Sequence, residues 1–311
     1  MVDDQTETCT VAKTRITFAW WNTSLSPTGK ARANSKEKKV ASEVIRYLTR
    51  QLCVDCLAIG EITADDVAEI LETCNLSDYA FYDGTPKSGR LQFDTGLLYR
   101  KANLFLLDAT PLIVARGNRS LRLANRVDFL TPGSQKPLHL FVSHWPSRLW
   151  CERNGADRHV LGLRLRDAVN ALHEFYRAQA NVILLGDYND EPFDGSLAEQ
   201  LLAVRDRRLV RRNPMLLYNP FWRHLGESAP HVPGKPCRSY AGTCFYKSGV
   251  ETHWRTFDQI IFSSAFLGRS EWELVEERTG IMHLGPFGTS VPGSSNIFDH
   301  FPVLAAIERK G

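Results

Sequence analysis

The feature that most constrains the fold is a short continuous apolar segment in the middle of the chain, Asn181–Gly186 (NVILLG). Such a run is typical of a strand that is buried on both faces, and therefore of a sheet covered by other layers. Further strands are predicted at Arg15–Trp21, Asp55–Gly60, Leu138–Ser143 and Val303–Ile307. The chain therefore favours an α/β architecture with internal sheets.

Two longer segments, Lys36–Leu52 and Arg158–Gln179, carry apolar residues at helical spacing. Leu91–Tyr99 and Leu104–Leu107 have strand character, and their proximity in sequence predicts that they pair with each other. We predict one large α/β domain over residues 15–311, with two sheets and flanking helices. The polar residues 1–14 are expected to form a flexible N-terminal segment.

Composition excludes several classes of protein. Hydrophobic residues make up 43% and charged residues 23% of the chain, which is inconsistent with a wholly disordered protein. The longest apolar run, Val303–Ile307, is far shorter than the roughly 20 residues that a membrane-spanning helix needs. No apolar core typical of a secretory signal is visible, and the odd number of scattered cysteines predicts reduced thiols in a cytoplasmic protein.

Polar side chains stand at the ends of six predicted strands, where a rigid sheet can hold them around a shared cleft. Taken singly, each has an ordinary explanation, such as a turn or a hydrogen-bonded core histidine. Together they offer carboxylates, amides and imidazoles, which suit phosphoryl chemistry assisted by a divalent metal. These residues are Asn22, Glu61, His144, Asp187 with Asn189, Asp258, and Asp299 with His300.

The motifs around these residues resemble the endonuclease/exonuclease/phosphatase superfamily, the fold of deoxyribonuclease I, exonuclease III and the apurinic endonucleases. They occur in the family's order and extend over residues 16–307. The resemblance implies a four-layer αββα sandwich of two packed mixed sheets flanked by helices. The motifs are Trp21-Asn22, Ile59-Gly60-Glu61, Ser143-His144-Trp145-Pro146, Gly186-Asp187-Tyr188-Asn189, Phe257-Asp258-Gln259-Ile260 and Phe298-Asp299-His300-Phe301-Pro302.

The same resemblance implies roles for individual residues on the metal side of the site. Asn22 and Glu61 correspond to metal-side residues, with Glu61 a direct ligand of Mg²⁺, for which Mn²⁺ is an alternative. Asp299 corresponds to a residue that can bind metal. Gly60 departs from the glutamine that many members carry before the glutamate, and this removes a polar group that would support the metal site.

For catalysis, the resemblance assigns Asp187 and Asn189 to holding and activating the attacking water. His300 corresponds to the histidine at the phosphate, and Asp258 to the carboxylate that orients it. His144, followed by Trp145-Pro146, resembles the deoxyribonuclease I branch, in which a second histidine acts opposite the first. We therefore expect a metal-dependent phosphodiesterase.

The substrate is less constrained by the sequence. The net charge is only +3, but arginines gather in three groups, and arginine suits phosphate contacts. Arg148, which follows His144, is predicted to contact a substrate phosphate. Trp145, Trp150 and Trp254 could stack on bases, although packing explains each of them equally well.

DNA is the favoured substrate, ahead of RNA, and the sequence indicates neither a membrane nor a protein partner. A small phosphorylated molecule such as a nucleotide, an inositol phosphate or a lipid headgroup remains the alternative. A catalytically silent binding module on the same fold is a third possibility, although every predicted catalytic position is filled.

Overall fold

The computed structural model describes residues 15–27, 31–85, 87–88, 91–92, 94–226, 233, 241–247, 249–284, 287 and 298–310. The predicted flexible segment 1–14 lies outside these ranges. The described residues form two mixed sheets, two small hairpins and four α-helices.

The first sheet places β1 in its interior, with a parallel neighbour on one side and an antiparallel neighbour on the other. Its strands in spatial order are β16 (Trp272–Ile281), β17 (Val303–Arg309), β1 (Arg15–Asn22), β2 (Cys56–Gly60), β6 (Thr95–Arg100) and β3 (Tyr79–Asp83).

The second sheet is built in the same mixed way around β10, which is parallel to β9 and antiparallel to β15. Its strands in spatial order are β11 (Ala203–Val204), β12 (Leu217–Tyr218), β15 (Asp258–Ser263), β10 (Asn181–Asp187), β9 (Leu138–His144), β8 (Arg119–Leu130) and β7 (Phe105–Arg116). The two hairpins pair β4 (Lys87–Ser88) with β5 (Leu91–Gln92), and β13 (Cys244–Phe245) with β14 (Trp254–Arg255).

Helices α1 (Ser35–Arg46) and α2 (Ala64–Thr73) begin at sequence-encoded caps. Asn34 and Glu37 form a capping box at α1, and Thr63 and Asp66 form one at α2, so their end N–H groups are hydrogen-bonded. Helices α3 (Ala156–Phe175) and α4 (Arg207–Arg212) lie in the second half of the chain. Single turns at Tyr47–Gln51, Ser196–Gln200, Pro220–His224 and Ser264–Phe266 complete the helical elements.

Three apolar clusters separate four layers. Ile183 and Leu185 of β10 belong to the core between the two sheets, whereas Val182 and Leu184 face the cluster shared with α3. A third cluster packs α1 and α2 against the outer face of the first sheet, with Trp21 among its members. The layers are therefore helix, sheet, sheet, helix, which confirms the αββα sandwich and the strand buried on both faces.

One predicted pairing is wrong. The strand that ends the segment Leu91–Tyr99 is β6, which pairs with β2 and β3 in the first sheet. The strand that begins at Phe105 is β7, which pairs with β8 at the edge of the second sheet. A short turn at residues 101–103 carries the chain from one sheet to the other, and sequence periodicity reports a strand without reporting its partner.

The cysteines of the described residues are free thiols, at positions 53, 56, 74, 151 and 244. Cys53 is exposed, and Cys56 is buried at the start of β2. Among the helices in the described part of the chain, none is both long and apolar enough to cross a membrane.

Candidate active site

The sheet registers bring three of the predicted residues side by side. Asp187 ends β10, pairs with His144 at the end of β9, and pairs on its other side with Asp258 at the start of β15. From the facing sheet, the Nδ2 atom of Asn22 donates to Asp187 Oδ2 at 3.4 Å. His300 lies just before β17. These five side chains therefore meet at one edge of the sandwich.

Asp187 occupies the centre of this group and is buried. Its Oδ2 atom lies 3.8 Å from His144 Nε2 and 3.9 Å from His300 Nε2. Two hydrogen bonds to one small oxygen ligand can span a separation of this size. A water molecule lying beside either pair of atoms can therefore hydrogen-bond to both of them, whereas the gap itself is too narrow to hold one.

His300 is hydrogen-bonded to a buried carboxylate, which is itself hydrogen-bonded to a tryptophan. Its Nδ1 atom donates to Asp258 Oδ2 at 2.8 Å, and the other oxygen of Asp258 accepts from Trp20 Nε1 at 2.7 Å. Asp258 therefore fixes the orientation of the ring, with Nε2 facing Asp187. The role that the resemblance gives to Asp258, orienting the catalytic histidine, stays a prediction.

His144 is backed in the same way by a residue that sequence reasoning missed, Asp94. Its Oδ1 atom accepts from His144 Nδ1 at 3.0 Å and from Arg122 at 2.9 Å. Asp94 stands directly before β6, inside a segment predicted as a strand. Aspartate is depleted in strands, so its occurrence inside a predicted strand could have marked Asp94 as a candidate functional residue.

The two imidazoles are held in the charged form. Burial disfavours a charged ring, but the carboxylates of Asp94 and Asp187 outweigh burial and raise the pKa of His144 to about 9. For His300, burial is likewise outweighed, chiefly by Asp258, and the pKa lies well above the usual value. Both rings are therefore in the imidazolium form, protonated on both nitrogens, at neutral pH.

The pKa values of the two carboxylates beside His144, Asp187 and Asp94, are shifted in opposite directions. Burial raises the pKa of Asp187, and nearby Asp258 adds to this, although His300 and His144 act against it. Burial also disfavours the charged form of Asp94, but His144 and Arg122 prevail and lower its pKa to about 2. Asp187 is thus the more basic of the two carboxylates, which suits a proton acceptor.

Asn189 is held beside Asp187 in a left-handed backbone conformation, with φ of 51°. Its backbone N–H donates to Asp187 Oδ1 at 2.7 Å, and its side-chain Nδ2 donates to the carbonyl of Trp145 at 2.9 Å. The amide nitrogen is therefore engaged within the protein, and the side-chain oxygen is the atom available to a water.

Arg148 lies against the same loop. Its Nε atom donates to the carbonyl of Asn189 at 2.9 Å, and its Nη2 atom donates to Asp194 at 2.5 Å. The guanidinium also lies over the Phe257 ring, 4.7 Å from the centroid. These contacts position the catalytic loop, and the predicted contact of Arg148 with a substrate phosphate stays a prediction.

A second arginine, Arg158, joins the two catalytic loops and was not singled out from the sequence. It is fully buried on α3 and donates to the carbonyls of Pro146, Cys151 and Tyr188 at 2.5, 3.2 and 3.0 Å. Pro146 follows His144, and Tyr188 lies between Asp187 and Asn189. One side chain therefore sets the spacing between the two loops.

Replacing Arg158 by methionine is expected to lower the free energy of unfolding by about 3–5 kcal/mol, because three buried carbonyls lose their donor. It should also slow catalysis, since the loops lose their common anchor. Urea unfolding and steady-state kinetics measure the two effects. Arg164→Met, at an exposed position of the same helix, serves as the control, and wild-type behaviour of Arg158→Met would refute the anchoring role.

Glu61 follows β2 and is half-buried. Its backbone adopts φ of 52°, a conformation that costs energy for a residue with a side chain and that concentrates at functional sites. Gly60, just before it, pairs with Asn22 across β1 and β2. Among the residues that the structure describes, the Glu61 carboxylate has no hydrogen-bonding or ion-pair partner, which fits a ligand for a cation.

Asp299 is exposed and accepts from Ser24 Oγ at 3.2 Å. Another group could also hold a metal, because ligand atoms of Asp187, Asp258 and His300 lie within 4.8 Å of one another. Both oxygens of Asp258 are already hydrogen-bonded, so this group is better suited to proton transfer. Glu61 offers the oxygen ligand that a hard cation prefers, and Asn22, whose side-chain oxygen also accepts from the Ser24 N–H at 3.2 Å, lies on the neighbouring strand.

The tryptophans differ in exposure. Trp145 is fully buried and donates to the carbonyl of Leu123, so it cannot stack on a base. Trp254 is half-buried and stacks on Phe301. Trp150 is 83% exposed, which leaves it as the one of the three whose ring is accessible.

The arginine groups are largely used within the protein. Arg116 and Arg119 pair with Asp157, and Arg126 pairs with Asp128. In the group at residues 205–212, Arg205 directly follows β11, which points toward the edge that carries the active site. Arg211 lies at the opposite edge, where its carbonyl accepts from Arg269 beyond the end of β15. The expected basic surround is thus only partly present at the site.

Comparisons with known proteins agree with this geometry. A sequence profile described as "Endonuclease/Exonuclease/phosphatase family" matches residues 22–284. No curated protein matches the sequence significantly.

Solved structures match over nearly the whole chain. D. rerio TDP2 complexed with single strand DNA product is 15% identical with a TM-score of 0.56, covering 95% of this chain and 100% of that chain. The human Nocturnin catalytic domain with bound sulfate anion is 16% identical, with a TM-score of 0.58 and coverage of 96% of each chain. The endonuclease/exonuclease/phosphatase from Bacteroides vulgatus is 13% identical, with a TM-score of 0.59, covering 96% of this chain and 100% of that chain. At these identities the likeness concerns the fold.

Proposed function

Because this chain belongs to the endonuclease/exonuclease/phosphatase family, we propose that it is a divalent-metal-dependent phosphodiesterase that hydrolyses DNA. The observation that carries the proposal is the buried carboxylate of Asp187 between two imidazoles, each backed by a carboxylate of its own. This arrangement supplies a proton acceptor and two positive charges within one small space. Phosphodiester hydrolysis by water needs both.

In the proposed reaction, a water molecule bound between Asp187 and Asn189 attacks phosphorus in line with the leaving oxygen. Asp187 Oδ2 accepts the proton of that water, while Asn189 holds its orientation. The imidazolium rings of His144 and His300 donate hydrogen bonds to phosphoryl oxygens, on which negative charge builds in the transition state. Fixed and buried donors of this kind do not need to reorganise during the reaction.

A divalent cation would be held by Glu61 and Asn22, with Mg²⁺ as the first choice and Mn²⁺ as the alternative. When bound, it would neutralise phosphate charge and stabilise the leaving oxygen. The carboxylate of Glu61 and the amide of Asn22 offer the oxygen ligands that such a cation prefers.

DNA is proposed ahead of other phosphodiesters for two reasons. One relative in fold, D. rerio TDP2, is described in complex with a single strand DNA product. In this chain, Arg148 also lies beside the proposed site, where it donates to the carbonyl of Asn189. The direct test is incubation with plasmid DNA, single-stranded DNA, RNA and inositol phosphates, each with Mg²⁺, with Mn²⁺ and with EDTA. Metal-dependent DNA cleavage supports the proposal, and turnover of inositol phosphates without DNA cleavage contradicts it.

The charged state of His144 makes a specific pH dependence expected. Because its pKa is about 9, activity should be retained at neutral pH and fall as the pH rises through about 9. In Asp94→Asn the carboxylate no longer opposes burial, so the pKa falls and the alkaline limb should move down by about 1–3 pH units. The profile of kcat against pH measures this shift, and an unmoved alkaline limb in the variant would exclude His144 as the group that titrates.

A further inference from the structure

The loop that follows Asn189 leads onto a surface on which two aromatic rings lie between two arginines. The Arg153 guanidinium lies over the Phe193 ring, 5.4 Å from its centroid. Phe193 contacts Trp222 edge-on, with 6.5 Å between the ring centroids. The Arg205 guanidinium lies over Trp222 at 5.2 Å. We call these four residues the aromatic–arginine strip.

The strip is joined to the catalytic loops at one end. Arg153 Nε donates to Asp194 Oδ1 at 2.7 Å, and the other oxygen of the same carboxylate accepts from Arg148. Arg148 in turn donates to the carbonyl of Asn189. The strip therefore starts beside the proposed water-binding residues and is held in a fixed relation to them.

The far end of the strip is linked to the strand that carries Asp258. Trp222 belongs to the turn that follows β12, and the preceding Asn219 donates to Gln259, the neighbour of Asp258. Arg205 directly follows β11, which runs parallel to β12. Both strands run toward the edge where Asp187 lies, because β12 is antiparallel to β15, which begins at Asp258.

Two features of the strip leave it available to a ligand. Phe193 leaves 43% of its surface exposed although it stands only four residues after Asn189. Arg205 is exposed and, among the described residues, has no carboxylate partner for its guanidinium. An accessible aromatic ring and an unpaired cation, spaced along one surface, match the bases and phosphates of a nucleic-acid strand.

We propose that the aromatic–arginine strip binds single-stranded nucleic acid that extends from the scissile phosphate, a proposal that rests on the proposed nuclease function. Bases stack on Phe193 and Trp222, and phosphates contact the Arg153 and Arg205 guanidinium groups. A duplex keeps its bases stacked on one another, so these rings favour an unpaired strand. Stacking of this kind tolerates any base, and the strip therefore adds affinity without sequence preference.

The test measures binding separately from hydrolysis. Fluorescence anisotropy of labelled oligo(dT) is recorded with the full chain in EDTA, which prevents metal-dependent turnover. Phe193→Ala should raise the Kd about fivefold or more, because a stacking contact is lost. Arg205→Gln should reduce the slope of log Kd against log salt concentration by about 0.7, the effect of one phosphate contact on a single strand.

Matched controls come from the far end of α3. Phe175 is 78% exposed and Arg177 is also exposed, and the helix of 20 residues separates them from the site by about 25–30 Å. Phe175→Ala and Arg177→Gln should bind oligo(dT) as the wild type does. Thermal unfolding of all four variants checks that the surface changes leave the fold intact.

The outcomes separate this inference from the proposed function. If the strip variants bind oligo(dT) as tightly as the wild type, the strip is refuted, even where DNA is still cleaved. Binding that both strip variants weaken supports the strip, even if Mg²⁺ brings no cleavage. The inference would be overturned if the wild-type protein did not bind oligo(dT) but bound vesicles containing phosphatidylserine through Arg205. The surface would then be assigned to lipid.

Discussion

Replacing Asp187 by asparagine is expected to reduce kcat for DNA hydrolysis by about 10⁴-fold, the upper end of the contribution of general acid–base catalysis. The amide has the same shape but cannot accept the proton of the attacking water. The positions of His144, His300 and Asn189 should change little, because asparagine still fills the space between them. Steady-state hydrolysis of a labelled oligonucleotide with Mg²⁺ measures the loss.

The same variant should stay close to the wild type in stability, because it removes a buried charge but also withdraws the support of that charge from the two imidazolium rings. Folding raises the pKa of Asp187, mainly through burial, so the ionised carboxylate is less favourable in the folded than in the unfolded protein at neutral pH. The neutral amide removes this cost, a trade between activity and stability that is common in active sites.

A thermal melt distinguishes loss of chemistry from loss of fold. Asp206→Asn, at the exposed N-cap of α4, is the matched control and should match the wild type in both assays, since asparagine caps helices as well as aspartate does. If Asp187→Asn kept more than a tenth of the activity, Asp187 would not be the proton acceptor.

Replacing Gly186 by alanine is expected to have the largest effect on stability. A Cβ atom at this position would lie 1.9 Å from the carbonyl oxygen of Ser143 and under 3 Å from two more backbone atoms of that residue. Gly186 and Ser143 are register partners in the central strands β10 and β9. Backbone atoms on a paired strand cannot turn aside as a flexible side chain can, so the two strands would have to separate.

The expected cost of Gly186→Ala is about 3 kcal/mol or more in the free energy of unfolding, beyond the usual penalty for overpacking a core. Activity should fall with it, because the neighbouring Asp187 and His144 are carried by the strands that move apart. Urea denaturation measures the first effect. Gly226→Ala, where a Cβ atom would meet nothing within 4 Å, should be nearly neutral, and equal stability of the two variants would disprove the close-contact argument.

The local sequence was sufficient to predict much of the architecture. The run at 181–186 predicts a strand buried on both faces, and β10 places alternate residues in two different apolar layers. The helices at Lys36–Leu52 and Arg158–Gln179 appear as α1 with its following turn and as α3. Apolar periodicity reports which faces of an element must be buried, and burial is what orders these segments.

Which strands pair with each other was harder to predict from the sequence, because pairing depends on contacts between distant parts of the chain. The strand β6 lies close to β7 in sequence, yet the two belong to different sheets. Hydrophobic pattern does not distinguish a neighbour in the same sheet from one across the core. The same limit applies to Trp145, whose ring is buried under the second sheet and not presented to a substrate.

The residues of the candidate site show the same difference between local and long-range information. Sequence by itself determined that Asn22, His144, Asp187, Asp258 and His300 stand at strand ends, because the motifs and the apolar runs before them are local. Only the tertiary structure decided that Asp94 backs His144 and that Arg158 ties the two loops together. Those contacts join residues 50 positions apart in one case and 12 to 30 positions apart in the other. The chemistry-bearing side chains are encoded locally, whereas the charges and donors that hold and tune them are brought in by folding.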